Sequence, residues 1–191
     1  MSFFKSLPED AGVRHILTLN PQAGRALVEF HTAALRNEGP LEPRHKELIA
    51  AYVSGLNACQ YCFGVHAVTA KAFGLEAGTL ERLLADIDSA DVDERLKPLL
   101  RYARKLTLEP SRMTEADAQA VFAAGWSEAA LHEAVLTVCL FNFMNRLLEG
   151  HGVKGNPGVF SARGQALRDE GYEPLLAFLD AAAAPPSAHR V

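Results

Sequence analysis

The chain has 191 residues, of which 49% are apolar and 22% charged, enough for one sizeable core and too apolar for intrinsic disorder over most of its length. Nineteen Lys and Arg against 23 Asp and Glu leave a formal charge of −4. Arg95, Lys97, Arg101, Arg104 and Lys105 read as a solvated helix face flanked by the acids Asp91, Asp93, Glu94 and Glu109, and the chain is acidic overall, so a nucleic-acid partner, which needs clustered cations to neutralise phosphates, is not expected.

The N-terminus, Met1-Ser2-Phe3-Phe4-Lys5-Ser6, lacks the basic start and apolar core of a secretory signal, so a cytoplasmic, reducing setting is expected. Apolar residues then recur at three-to-four spacing over long windows and no strand pattern emerges, which predicts an all-α chain. Helices are predicted near 9–18, 21–37, 42–56, 59–74, 77–86, 92–107, 114–124, 127–149 and 158–183. Asn20-Pro21, Pro43, Thr114 to Asp117 and Ser127 supply start signals, and Gly39-Pro40, Gly55, Gly74, Gly125 and Gly150 supply stops. The longest apolar stretch, Ala134 to Met144, is broken by Thr137 and Asn142 and falls short of the about 20 residues a membrane span needs. Helix 127–149 is apolar nearly all round, so burial is expected, centrally or against another subunit, with Cys139 as an inert small hydrophobe. Residues 1–183 read as one helical domain, and 184–191 as a flexible C-terminal tail.

Of the three cysteines, Cys59 and Cys62 form the pattern Asn57-Ala58-Cys59-Gln60-Tyr61-Cys62-Phe63-Gly64-Val65-His66 after the Gly55 break. At about 100° per residue Cys59, Cys62 and His66 share one helix face, with both cysteines in the first turn. There the helix dipole and free N–H groups favour thiolate, and an imidazole one turn on accepts or holds the proton. A Cys-x-x-Cys pair also closes a disulfide without unwinding the backbone, so a sulfenic acid on one sulfur is resolved by the other. Glu47 lies about two turns before the tight Gly55-Leu56-Asn57 connection, and a fold-back would bring its carboxylate to His66, giving a Glu–His–Cys relay. Structural zinc, by contrast, wants four Cys or His ligands, and a second pair is missing. Within the pair the residues alone leave two choices of reactive sulfur: Cys62 is nearer His66, whereas Cys59 is nearer the helix terminus.

The arrangement of Glu47, eleven intervening positions and Cys59-x-x-Cys62-x-x-x-His66 resembles the active-site motif of alkyl hydroperoxidase D, within the carboxymuconolactone decarboxylase-like superfamily. Leu99 to Thr107, Gly125-Trp126-Ser127 and Phe141-Asn142-Phe143-Met144-Asn145-Arg146 resemble its peroxidase-related branch, so the resemblance covers about residues 20–155. It implies a compact, all-α multi-helix bundle that assembles as a homo-oligomer (dimer, trimer or hexamer). It also implies thiol peroxidase activity on hydrogen peroxide or organic hydroperoxides. In the roles it implies, Cys62 attacks, Cys59 resolves, and Glu47 and His66 relay the proton. The chemistry requires no haem, flavin or metal, and the reductant is an external dithiol, a thioredoxin-like protein or a lipoyl domain. Where alkyl hydroperoxidase D has a second histidine before the second cysteine, this chain has Tyr61, a weaker acid-base group near neutrality. Two alternatives stand beside this reading: a lactone decarboxylase or isomerase acting by acid-base chemistry, as relatives do without a cysteine pair, and a non-enzymatic redox-sensing or metal-binding protein.

In helix 127–149, Asn142, Asn145, Arg146 and Glu149 form a polar stripe at i, i+3, i+4 and i+7. It is expected to form a polar network under the cysteine site or across a subunit interface, or else a solvated face with an Arg146–Glu149 pair. His31, His45, His132 and His151 carry no ligand spacing and are left out of the site.

Overall fold

The computed structural model describes residues 2–183, and the predicted tail 184–191 lies outside them. The described residues hold ten α-helices and no strand. The centre is α3 (Pro43–Leu56), in which every side chain from Lys46 to Ser54 is buried, so helices must cover it on all sides. One cover is α4 (Gln60–Ala72), which folds back along α3 through the connection 57–59; α8 (Glu128–Gly150) and α6 (Leu96–Leu108) are others. The short α5 (Thr79–Ala85) packs on α3, α7 (Glu115–Ala123) on α6 and α8, and α9 (Pro157–Asp169) lies along α4. The outer wall is α1 (Val13–Leu17), α2 (Pro21–Leu35) and α10 (Glu173–Ala183), with α2 packed on α8 and α10.

Local signals account for most boundaries. Asn20 accepts from the Ala23 N–H at 3.1 Å ahead of Pro21, and Ser127 accepts from Ala130 at 3.1 Å. Thr114 and Asp117 form a capping box, the Thr114 N–H donating to the Asp117 carboxylate at 2.7 Å. Four expectations need correction. The helix predicted over 9–18 is only Val13–Leu17, because residues up to Gly12 turn on Pro8 and Ala11. The one predicted over 92–107 starts at Leu96, since Asp93 spends its carboxylate on the Arg95 N–H in a preceding turn. The long helix predicted over 158–183 is two: Gly171 takes φ +69°, a left-handed conformation that ends α9 and re-aims the chain into α10. Finally, of the two burials expected for helix 127–149, the central one covers one side of α8 only: in the single chain Cys139 and Phe143 are exposed, Phe143 at 53%.

A buried charge network braces the α2–α3 connection. Lys46, wholly buried, donates to the Asn37 side-chain oxygen at 2.6 Å and pairs with Glu133 of α8 at 3.3 Å. The Glu133 carboxylate also accepts from Asn37 at 2.8 Å and from the Leu41 N–H at 3.1 Å.

The α4–α9 crossing depends on a missing side chain. A Cβ on Gly164 would lie 2.5 Å from Val68 Cβ and 2.8 Å from the Val65 carbonyl oxygen, and the Thr69 hydroxyl donates to the Gly164 carbonyl at 3.2 Å. Gly164→Ala is therefore expected to force the two helices apart and cost about 1–3 kcal/mol in denaturant unfolding, despite the better helix propensity of alanine; an unchanged or raised midpoint would contradict the close crossing.

Candidate active site

The connection between α3 and α4 sets the cysteines. Ala58 is the only described non-glycine residue with positive φ, at +53°, a left-handed conformation that costs an L-residue about 1–2 kcal/mol. It swings the chain so that Cys59 becomes the N-cap of α4 and Cys62 sits in its first turn. Both are free thiols and both are buried, but Cys59 is wholly enclosed whereas Cys62 borders a cavity of about 250 Å³.

The connection is held from below by a polar layer. The Asn57 amide donates to the side-chain oxygens of Asn145 at 2.9 Å and Asn142 at 3.2 Å, and the Asn145 amide donates to the Ser54 hydroxyl at 3.0 Å. The Cys59 N–H donates to the Ser54 carbonyl at 3.0 Å. Of the polar stripe expected on α8, Asn142 and Asn145 thus support the cysteine connection. Arg146 is exposed and donates back to Asn142 at 2.8 Å, and Glu149 pairs with Lys154, so the Arg146–Glu149 pair is not formed.

The fold-back brings Glu47 to His66: Nδ1 of the imidazole lies 2.7 Å from the Glu47 carboxylate, at a position where Glu47 is 0% exposed. Arg36, one residue past α2, pairs with the other carboxylate oxygen at 2.7 Å. Burial alone would raise the Glu47 pKa; the opposing effects of His66 and Arg36 outweigh it and hold the carboxyl below its ordinary value, so it is ionised near neutrality. With Nδ1 directed at Glu47, the other imidazole nitrogen is free to serve the cavity, which His66 lines and where its ring meets Phe141 edge-on at 4.5 Å. The structure shows no direct His66–Cys62 hydrogen bond; the two groups meet across the same cavity.

Within the cysteine pair the two sulfurs are electrostatically unequal. The Cys62 thiol, above all, and its backbone N–H hold Cys59 below the ordinary thiol value against the opposing pull of burial. Cys62 is pushed well up, first by donating to Cys59 and then by burial, with Asn145 pulling the other way. The more acidic sulfur is therefore the enclosed one, and the sulfur facing the cavity carries the shared proton.

Three cavity and relay groups stand outside the expected site: Arg36 and Tyr172, which the sequence did not single out, and His31, whose exclusion is corrected by its place on the cavity. Arg36 not only clamps Glu47 but also donates to the Leu167 carbonyl at 3.0 Å and lies over the rings of Tyr172 and Phe73 at 5.2 and 5.4 Å. His31 lines the cavity; Nδ1 sits 2.7 Å from the Leu27 carbonyl, and burial lowers its pKa to about 4, so it is a neutral ring. Tyr172, just after the Gly171 turn, lines it too, and its buried hydroxyl has no hydrogen-bond partner among the described residues. Tyr61 borders the cavity as well, with its hydroxyl close to Gly12 just before α1, and burial raises its pKa. No spacing in the sequence links these residues to the cysteines, since they arrive from α2 and from the α9–α10 turn. Among the described residues no three His, Cys, Asp or Glu side chains are grouped to hold a metal ion, and His66 is already engaged by Glu47.

Residues 21–105, which span α2 through most of α6, match the model of the Carboxymuconolactone decarboxylase family. The fold is that of two solved structures. An alkylhydroperoxidase core structure, an uncharacterized peroxidase-related protein from Ralstonia eutropha JMP134, is 23% identical with a TM-score of 0.71, over 76% of this chain and 77% of that one. An uncharacterized peroxidase-related protein from Silicibacter sp. TM1040 is 22% identical with a TM-score of 0.72, over 78% of each chain. No curated protein matches the chain.

The unequal pair gives a titration prediction. Thiolate absorbance of the reduced protein should rise with a first midpoint below the ordinary thiol value of about 8.5, and Cys62→Ala should move that midpoint upward because Cys59 loses its donor. A midpoint that stays put in Cys62→Ala would contradict the coupling.

Proposed function

We propose, from the match of residues 21–105 to the Carboxymuconolactone decarboxylase family model and from the site geometry, that the protein is a thiol-dependent peroxidase of the alkyl hydroperoxidase type. The observation that carries this reading is the pairing of two reduced cysteines, one on the cavity and one behind it, with a buried Glu47–His66 dyad facing the same space.

In this reading the proton that Cys62 donates to Cys59 moves onto Cys59, or to His66 through a bound water, leaving a Cys62 thiolate at the cavity wall. The thiolate attacks the terminal oxygen of the hydroperoxide. The O–O bond breaks, the alkoxide takes up a proton and leaves as an alcohol, and Cys62 becomes a sulfenic acid. Cys59, already in contact, attacks the Cys62 sulfur and releases water as the disulfide closes. Two thiols and one hydroperoxide thus yield one disulfide, one alcohol and one water. An external dithiol, a thioredoxin-like protein or a lipoyl domain, restores the pair by exchange. The Glu47 carboxylate, held at Nδ1, fixes the tautomer and orientation of His66. Tyr61, whose pKa burial raises further above neutrality, does not replace the histidine that the motif elsewhere carries at this point. The apolar lining of the cavity favours organic hydroperoxides over hydrogen peroxide, since only the former bury surface there. As part of the same reading a homo-oligomer covers the exposed stripe of α8 around Cys139 and Phe143, and the protein acts in the cytoplasm; no described helix is long and apolar enough to cross a membrane.

A second reading, acid-base chemistry on a lactone or related ring, is favoured by the matched family's own description and uses the same dyad without the sulfurs. One experiment separates the two. Reduced protein given one equivalent of an organic hydroperoxide should lose two hydrogens, mapped to Cys59–Cys62, whereas Cys59→Ser should stop at a sulfenic acid on Cys62 that dimedone traps. Unchanged thiols in the wild type would shift the assignment to acid-base chemistry, and a dimedone adduct on Cys59 in Cys62→Ser but none on Cys62 in Cys59→Ser would reverse the two roles.

A further inference from the structure

Resting on the peroxidase reading, we infer that the cavity above Cys62 selects hydroperoxides that carry a carboxylate on an apolar body, the carboxylate held by Arg14 and Arg163 at its rim. The interior is apolar, built by Leu17, Val28, Val65, Phe141, Met144 and Leu175 among others, and it reaches Cys62 and His66. Its polar groups away from the sulfurs and His66 are neutral: Tyr61, whose hydroxyl lies against Gly12, and two more. The Tyr172 hydroxyl is one: it is 4% exposed, kept protonated by burial and by the nearby Glu47 charge, and free of any partner among the described residues. A buried hydroxyl without a partner costs free energy unless a ligand satisfies it, so a ligand oxygen belongs there. The other is His31, whose Nδ1 is committed to the Leu27 carbonyl, leaving Nε2 as an acceptor. One neutral donor and one neutral acceptor match a hydroperoxide, which has a single O–H and two oxygen acceptors, and they do not match an ion.

The charges sit at the rim instead. Arg14 and Arg163 line the cavity half-buried, and neither has a carboxylate partner among the described residues. The Arg14 guanidinium lies over the Phe178 ring at 5.4 Å, which steadies its stem. Glu170, exposed, is the one acid lining the same cavity, so the rim carries a net positive charge. Both arginines also act on Tyr61, lowering its pKa against the larger upward effect of burial, so their field reaches inward along the wall. A neutral interior under a cationic rim fits an amphiphile whose anion stays at the mouth while its hydroperoxide reaches the sulfur.

The test compares a medium-chain hydroperoxy fatty acid, its methyl ester and hydrogen peroxide as oxidants of the reduced wild type, Arg14→Gln/Arg163→Gln and Tyr172→Phe proteins. The wild type should oxidise the acid at least tenfold faster than the ester. The double arginine variant should bring the acid down to the ester's rate while leaving hydrogen peroxide unaffected. Tyr172→Phe, which removes an unpartnered hydroxyl and so keeps the melting temperature, should slow acid and ester alike. A readout independent of peroxide turnover is protection of Cys62 from iodoacetamide: decanoate should protect the wild type, methyl decanoate should protect it less, and the double variant should lose the difference. Equal rates for acid and ester, with equal protection, would overturn the inference and leave the peroxidase reading standing. Failure of all three oxidants to touch Cys62 would remove the peroxidase reading and this inference with it.

Discussion

The structure turns on a carboxylate buried where water cannot reach it. Moving the Glu47 charge into the core costs several kcal/mol after relaxation, and the site exists because two partners from distant parts of the chain offset that cost. His66 approaches from α4 and Arg36 from the end of α2, each at 2.7 Å. Arg36 in turn reaches the α9 backbone at Leu167 and the rings of Phe73 and Tyr172. One ionised group therefore ties α2, α3, α4, α9 and the start of α10 to a common point. The walls of the cavity come largely from those same segments, so its shape and the orientation of His66 are set by one electrostatic requirement.

A second constraint lies under the cysteines. The left-handed Ala58 is strained, and the amide layer of Asn57, Asn142, Asn145 and Ser54 holds it in place. The result is a division between sulfurs. Cys59 has the N-cap position, full burial and the lower pKa; Cys62 has the cavity and the proton. Enclosing the more acidic sulfur shields it from oxidants that do not enter by the cavity. In the proposed reaction the sulfur facing the cavity becomes the nucleophile once the shared proton shifts, so Cys62 attacks and Cys59 resolves.

Much of this was legible in the sequence because it is local. The helix caps at Asn20, Thr114 and Ser127, the cysteine turn after Gly55, and the reach of Glu47 back to His66 all follow from spacing and short connections. Asn142 and Asn145 were visible as a polar stripe on an apolar helix, and their place beneath the cysteines follows from α8 packing on α3. Arg36, His31 and Tyr172 were not legible. Each comes from a segment whose approach to the site depends on how whole helices cross, and Tyr172 was further hidden inside what reads as one continuous helix until Gly171 breaks it. The apolar character of helix 127–149 was plain, but composition could not say that one side of it, with Cys139 and Phe143, faces outward in the single chain.

The central claim is that the Glu47–His66 dyad powers oxidation of the cysteine pair. Its most direct test is the single-turnover rate of Cys62 oxidation by an organic hydroperoxide in Glu47→Gln, measured by stopped flow on protein whose helical content and oligomeric state match the wild type. The account predicts a fall of about 10²-fold or more, the size of a general acid-base contribution. A rate within twofold of the wild type would contradict it and reduce the buried carboxylate to a structural role.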